Sequence, residues 1–147
     1  MADIKTVVIP IDFSSTMDKV VAYATSVADQ LDAKAYFLYV VNDFQGYDMI
    51  LAHPSFAVLT KDLKAQSEER MANLVDDYSH LKGGASGEIR TGDPAEEIIA
   101  FAEENNADMI IIGTHGVKGF EKILMGSTAE KVVKNAPCPV LTFNPFK

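Results

Sequence analysis

The sequence contains one cysteine, no tryptophan and no apolar run long enough to cross a bilayer. A single cysteine cannot form an internal disulfide, which fits the reducing environment of the cytoplasm. A membrane-spanning helix needs about 20 consecutive apolar residues, so we expect no membrane insertion. These absences predict a cytoplasmic protein.

Positive charge is also scarce. The chain has 13 lysines and arginines against 21 aspartates and glutamates, a formal net charge of −8 at pH 7. This balance argues against non-specific binding to nucleic acid or to an anionic membrane surface. Any phosphate-bearing ligand must therefore be held by local N–H groups, by nearby lysines or by a metal ion.

The composition is that of an ordinary globular protein, and we expect residues 1–147 to form a single domain. Apolar runs alternate with stretches of helical periodicity along the chain. The third of these runs alternates polar and apolar residues, which suits a sheet edge. We predict strands at 6–11, 36–41, 86–90, 109–112 and 140–143, and helices beginning near residues 15, 55, 93 and 127.

Helix boundaries are predicted from capping patterns and from glycines. Asp93, Pro94 and Glu96 are typical of an N-cap, the first helical position and the third. The helix beginning near residue 55 should run to Leu81, because Gly83 and Gly84 follow. Two further capping boxes are predicted, Ser15 with Asp18 and Ser127 with Glu130.

Strands that alternate with helices predict an open, twisted, parallel α/β sheet of Rossmann-like type, with helices on both faces. Right-handed crossovers and an edge-like third strand favour the order 3-2-1-4-5. In that order the winding reverses between strands 1 and 4, and open α/β sheets bind ligands at such a switch point. We therefore expect Asp12, after strand 1, to lie beside Gly113, after strand 4.

Residues 113–128 read Gly-Thr-His-Gly-Val-Lys-Gly-Phe-Glu-Lys-Ile-Leu-Met-Gly-Ser-Thr and join a buried strand to a helix. The N–H groups and dipole at the start of that helix attract anions such as phosphate. The glycines let the backbone approach a ligand closely or take positive φ. Neither the Rossmann fingerprint nor the Walker A loop is present, so spacing alone leaves phosphate binding and an ordinary turn both open.

The spacing Gly113-x2-Gly116-x9-Gly126-Ser127 resembles the nucleotide-binding signature of the universal stress protein family, in its ATP-binding branch. The runs at 7–14 and 136–141 are similar to that family as well. The resemblance spans nearly the whole chain and implies the adenine nucleotide alpha hydrolase-like fold, with ATP as ligand. Whether Mg²⁺ or Mn²⁺ accompanies the ATP is left open by the sequence. It also implies a homodimer formed through the last strand, 140–143.

The resemblance assigns roles to individual residues. In the family, the residues that match Pro10, Asp12 and Val40 surround the adenine and ribose. The residues that hold the ribose and phosphates match Gly113, His115, Gly116, Gly126, Ser127 and Thr128.

Several of these residues have a structural alternative. The Asp12 carboxylate could cap the first helix at Ser14, instead of accepting from a ribose hydroxyl or an exocyclic amine. Val40 could belong to the core, and His115 could brace the loop. Loop lysines such as Lys118 could offset phosphate charge or could be merely solvated.

Two classes of function compete. The first is a regulatory, stress-response module whose nucleotide occupancy is read by an unknown protein partner. The alternative is an ATP-using enzyme, a slow ATPase or an adenylating enzyme of related fold. Adenylating enzymes usually carry Ser-Gly-Gly-x-Asp-Ser after the first strand, whereas residues 11–16 here read Ile-Asp-Phe-Ser-Ser-Thr. The regulatory interpretation is favoured, and no catalytic residue is assigned.

Overall fold

The computed structural model describes residues 3–42, 54–115 and 125–146. They form a five-stranded sheet in the order β3-β2-β1-β4-β5, parallel at every pairing. The predicted order 3-2-1-4-5 is therefore confirmed. None of the helices within these ranges is long and apolar enough to cross a membrane. The strands are β1 (Thr6–Ile11), β2 (Lys34–Asn42), β3 (Ala85–Gly92), β4 (Met109–Gly113) and β5 (Val140–Phe143), and the helices are α1 (Met17–Gln30), α2 (Pro54–Asp77), α3 (Pro94–Glu104) and α4 (Ser127–Asn135).

Two apolar layers cover the sheet, because successive side chains of a strand point to opposite faces. On one face α1 and α2 pack against a layer that includes Ile9 and Phe37. On the other face α3 and α4 pack against a layer that includes Val8 and Leu38. All four of these side chains are fully buried. The predicted covering of both faces by helices is confirmed.

Strand β1 pairs unequally with its two neighbours. It pairs with β2 along its whole length, from Thr6 opposite Lys34 to Ile11 opposite Tyr39. With β4 its paired residues are Val7 with Met109 and Val8 with Ile110. The ladder between β1 and β4 therefore ends before the last residues of both strands.

The orientation of Pro10 explains this early end. The carbonyl of Lys5, just before β1, accepts a hydrogen bond from the N–H of Lys34, the first residue of β2. The carbonyl of the next residue, Thr6, accepts from the N–H of Asp108, just before β4. Backbone polar groups of successive strand residues point to opposite sides, so Pro10 faces β4. Proline has no N–H to donate. The sheet therefore lacks a ladder bond at its switch point.

Of the predicted side-chain caps at helix N-termini, only that of α3 is confirmed. The Asp93 carboxylate accepts from Glu96 N at 3.0 Å. Helix α1 instead has Thr16 at its N-cap and begins at Met17, and no side chain caps it. The predicted Ser15–Asp18 capping box is therefore wrong, because Ser15 lies in the turn before the helix.

The predicted Ser127–Glu130 capping box is also wrong. Gly126 occupies the N-cap of α4, and Ser127 is already the first helical residue. Glu130 pairs with Lys134 at 2.9 Å, one turn further along. Helix α4 consequently begins without a side-chain cap.

Helix α2 ends at Asp77, four residues before the predicted end at Leu81. Gly83 and Gly84, which follow the helix, pack against the start of β2 and do not end the helix. Gly84 has a φ of 82°, and its carbonyl accepts from Ala35 N at 3.0 Å. A Cβ at Gly83 would collide with the Ala33 backbone. Both positions therefore need glycine for reasons of packing and conformation.

Candidate functional site

The candidate site lies at the carboxyl ends of β1 and β4. Asp12 directly follows β1, and Gly113 is the last residue of β4. The two strands are parallel neighbours, so these residues lie at the same edge of the sheet. Because the β1–β4 ladder has already ended there, the backbones are free to separate at this point.

The Asp12 carboxylate is held by its own loop. Its Oδ1 accepts from Ser14 N at 2.9 Å, and the side chain is half-buried. Helix α1 begins only at Met17, so this contact is an Asx-turn and not the helix cap that sequence reasoning offered as an alternative. Within the described ranges the Asp12 carboxylate accepts no other hydrogen bond, which leaves Oδ2 available to a ligand.

Phe13 is a member of this site that sequence reasoning missed. It has a φ of 54°, in the left-handed region that residues other than glycine seldom adopt. Its ring lies edge-on to Tyr39 of β2, with 4.9 Å between centroids. The Arg70 guanidinium of α2 lies over the same ring, 4.5 Å from its centroid.

Pro10 and Val40 lie on the face of the sheet that α3 and α4 cover. Val40 is half-buried and packs against the layer on that face. Pro10 is two residues beyond Val8 of the same layer, so its ring points to the same side. The core and ligand-wall interpretations of Val40 are thus compatible, since part of its surface is covered and part is not.

Gly113 and Gly126 are needed for packing. A Cβ at Gly113 would lie 3.0 Å from a methyl group of Val20 in α1. A Cβ at Gly126 would lie 3.2 Å from the Thr114 carbonyl oxygen. Gly126 has a φ of −68°, which any residue adopts. Close approach of backbone to backbone is therefore the reason for glycine at Gly126.

His115 is buried, with 6% of its surface exposed. Its Nδ1 lies 2.7 Å from the Thr114 hydroxyl, and its ring packs edge-on to Phe146 at 4.9 Å. These contacts favour the alternative in which His115 braces the loop.

Thr114 is a second residue that sequence reasoning missed. Its N–H donates to the Phe143 carbonyl of β5 at 2.9 Å, and its own carbonyl accepts from Gly126 N. It therefore joins the end of β4 to both β5 and the start of α4. No pattern in the sequence identifies it, because every partner but His115 is distant along the chain.

Within the part of the chain that the structure describes, no side chain caps the N-terminus of α4. Its N-cap residue, Gly126, has no side chain, and Ser127 and Thr128 occupy the first two helical positions. Ser127 is exposed and Thr128 is half-buried. The N–H groups of a first helical turn have no partner within the helix. Among the described residues, no group outside the helix accepts from the N–H groups of Ser127 and Thr128 in α4.

Gly116 and the loop lysines Lys118 and Lys122 lie outside the described residues, as do Glu121 and almost all of the connection 42–54. The predicted roles of Gly116 and of the loop lysines therefore stay predictions. Within the residues that are described, no group of three or more His, Cys, Asp and Glu side chains could hold a metal ion.

Comparison with known proteins places these features in context. The model of the universal stress protein family matches residues 3–144. A universal stress protein of Methanocaldococcus jannaschii is 37% identical over 137 residues, which cover 93% of this chain and 80% of the relative. The solved universal stress protein UspA from Lactobacillus plantarum is 25% identical and superposes with a TM-score of 0.87, covering 98% of this chain and all of that one.

Two further solved structures share the fold and contain adenine nucleotides. A universal stress protein from Archaeoglobus fulgidus, solved in complex with dAMP, is 23% identical, with a TM-score of 0.59 over 97% of this chain and 98% of its own. Another, solved in complex with cAMP, is 20% identical, with a TM-score of 0.60 over 98% of this chain and 99% of its own.

The corrected N-cap of α4 leads to a test of stability. Replacing Gly126 with alanine should lower the free energy of unfolding by about 1–3 kcal/mol, because the new methyl group presses on the Thr114 carbonyl. Replacing the neighbouring Ser127 with alanine should change it by less than about 0.5 kcal/mol, because Ser127 is not a cap. Urea denaturation of both variants gives the comparison. A cost of about 1 kcal/mol for Ser127→Ala would restore the capping box.

Proposed function

The chain belongs to the universal stress protein family, and from that premise we propose that it binds ATP where β1 and β4 separate and acts as a nucleotide-dependent regulatory module. The observation that carries the proposal is the uncapped N-terminus of α4 beside the switch point of the sheet. Free N–H groups and the helix dipole are suited to phosphate there. The match over residues 3–144 supports the prediction that residues 1–147 form a single domain.

The residues present fit an adenine nucleotide. Asp12 offers Oδ2 to a ribose hydroxyl or an exocyclic amine, and Pro10 and Val40 offer apolar surface to the base. Gly126, Ser127 and Thr128 offer backbone N–H groups or hydroxyls to phosphate. Gly113 and His115 shape the loop, and Gly116 belongs to the same motif by sequence. In a chain with a net charge of −8, phosphate binding needs such local donors.

Adenine nucleotides in fold neighbours support this choice of ligand. The dAMP and cAMP complexes show that proteins of this fold accept an adenine base, a sugar and phosphate. The spacing of Gly113, Gly116 and Gly126 favours ATP among such nucleotides, through its resemblance to the ATP-binding branch. Either Mg²⁺ or Mn²⁺ would then accompany the phosphates.

The proposed site is better suited to binding ATP than to hydrolysing it rapidly. Fast phosphoryl transfer needs a residue that orients the nucleophile and cations that stabilise the developing charge. No arginine occurs after Arg90, so neither the glycine loop nor α4 supplies an arginine finger. His115, an ionisable residue at the start of the glycine loop, is buried and contacts Thr114 and Phe146. We infer that signalling depends on whether ATP is bound and on a protein partner that detects it.

Replacing Asp12 with asparagine tests the binding site. Asparagine keeps the oxygen that accepts from Ser14 N, but it puts an NH₂ group where Oδ2 was available to the ligand. Loss of one hydrogen bond to a charged acceptor should weaken ATP binding by about tenfold or more, measured by calorimetry.

The matched control for this variant is Asp18→Asn, which removes the same charge from an exposed position in the first turn of α1. It should bind ATP as the wild type does. Equal affinity in the Asp12 and Asp18 variants would exclude Asp12 from the site.

Turnover separates the regulatory proposal from the enzyme alternative. Steady-state ATP hydrolysis with Mg²⁺ and with Mn²⁺ should stay below about 1 s⁻¹, the lower end of the ordinary enzyme range. Glu121 is an acidic residue of the glycine loop and could act as a base in such an enzyme. The control is a Glu121→Gln variant, which should hydrolyse ATP no more slowly. A rate within the enzyme range that this substitution abolishes would favour the enzyme.

A homodimer through β5 completes the proposal. Strand β5 is at the edge of the sheet, and residues 140–143 include no lysine or proline that would discourage pairing. The exposed ring of Tyr23 stacks on Phe143 at 4.9 Å and extends the apolar surface beside this edge. A two-fold contact here would be isologous.

Thr142 is the position at which to test the dimer. The carbonyls of Pro139 and Phe143 point to β4, so the polar backbone groups of Thr142 point to the free edge. Thr142→Pro removes an outward N–H without removing a bond to β4 and should convert dimer to monomer in sedimentation experiments. Thr142→Val keeps the N–H and should stay dimeric. A wild-type monomer at micromolar concentration would contradict the proposal.

A further inference from the structure

Arg70 joins two distant parts of the chain beside the proposed nucleotide site. It lies in α2, 57 residues after Phe13 in the loop that follows β1. Its guanidinium lies 4.5 Å from the centroid of the Phe13 ring, within the range of a cation–π contact. Its Nη2 also donates a long hydrogen bond, 3.4 Å, to the Phe13 carbonyl. One side chain therefore contacts both the ring and the backbone of a single loop residue.

Phe13 needs such support. Its φ of 54° crowds the Cβ of an L-residue against its own backbone, so surrounding contacts must maintain the conformation. Tyr39 supports one edge of the ring. The Phe13 N–H donates to Met17 Sδ at 3.2 Å, and a thioether is a weak acceptor. Among the described residues, Arg70 is the one that donates a hydrogen bond to the Phe13 carbonyl.

The conformation of Phe13 determines how Asp12 is presented. The bond from Ser14 N to Asp12 Oδ1 closes a turn that contains Phe13 at its centre. If Phe13 relaxes to a negative φ, Ser14 N turns away, and the Asp12 carboxylate loses its fixed orientation. We propose that Arg70 is a positioning residue for nucleotide binding: it holds Phe13 in the left-handed conformation and so directs Asp12 Oδ2 toward the ligand. This inference rests on the proposed function.

Arginine suits this role better than lysine. A planar guanidinium can lie flat over an aromatic ring while one of its N–H groups donates in the same plane. Arg70 is itself exposed, so its removal leaves both apolar layers of the core intact. A variant at this position should therefore fold and report on the loop.

The test compares ATP with adenosine, which has the same base and ribose and no phosphate. In Arg70→Gln both ligands should bind about three- to tenfold more weakly, by the same factor, because the loss acts through Asp12. The control is Lys64→Gln, which removes a positive charge from an exposed position of the same helix and should leave adenosine affinity unchanged. A loss confined to ATP would mean direct attraction to phosphate and would overturn the inference. Unchanged affinity for both ligands, together with a lower melting temperature, would reduce Arg70 to a purely structural role and would also overturn it.

A second variant isolates the coupling between the two residues. Glycine adopts a φ of 54° without steric cost, so Phe13→Gly removes the need for support. In that background Arg70→Gln should no longer change adenosine affinity. The same loss in both backgrounds would overturn the inference. If the wild type binds neither ligand, both the proposed function and this inference are wrong. If the wild type binds both ligands and the Arg70→Gln variant binds them equally well, only the inference is wrong.

Discussion

The missing N–H of Pro10 is the constraint on which the site depends. Pro10 faces β4, where every other residue type would offer a donor, and the ladder between β1 and β4 stops after Val8 and Ile110. A fully paired ladder would hold the two backbones about 4.8 Å apart along their whole length. Its early end lets the strands separate where the order of the sheet reverses, and the loops that carry Asp12 and Gly113 begin there.

Much of the fold could be predicted from the sequence, because the signals are local. Apolar runs such as 6–11 and 109–112 indicate strands buried on both faces, and Asp93 and Pro94 mark a helix start that the structure confirms. The two predicted capping boxes were wrong because a serine followed three residues later by an acidic residue does not determine which residue becomes the N-cap. At α4 the backbone bond from Gly126 to Thr114 makes the glycine the N-cap and shifts Ser127 into the helix.

The rest of the candidate site could not be predicted, because distant contacts determine it. Nothing near Phe13 in the sequence indicates a left-handed φ, and Arg70 reads as part of a solvated helix face until the fold brings it over the ring. Thr114 likewise stands between two residues of the motif and acquires its role from Phe143 and Gly126. Residues that position other residues are harder to recognise in a sequence than residues that belong to a motif.

The two edges of the sheet differ in a way that bears on assembly. On β3 the Arg90 guanidinium bonds to Glu88 and Glu104 and lies over Phe101, and the bond lowers the pKa of the Glu104 carboxyl. Such fixed charges discourage a second strand. Strand β5 has none, and its Phe143 carbonyl accepts from Thr114 N, whose own carbonyl accepts from Gly126 at the start of α4. Thr114 thus connects the edge strand β5 to the start of α4, where we propose that phosphate binds, so the proposed nucleotide site and the proposed dimer strand share one hydrogen-bonded residue.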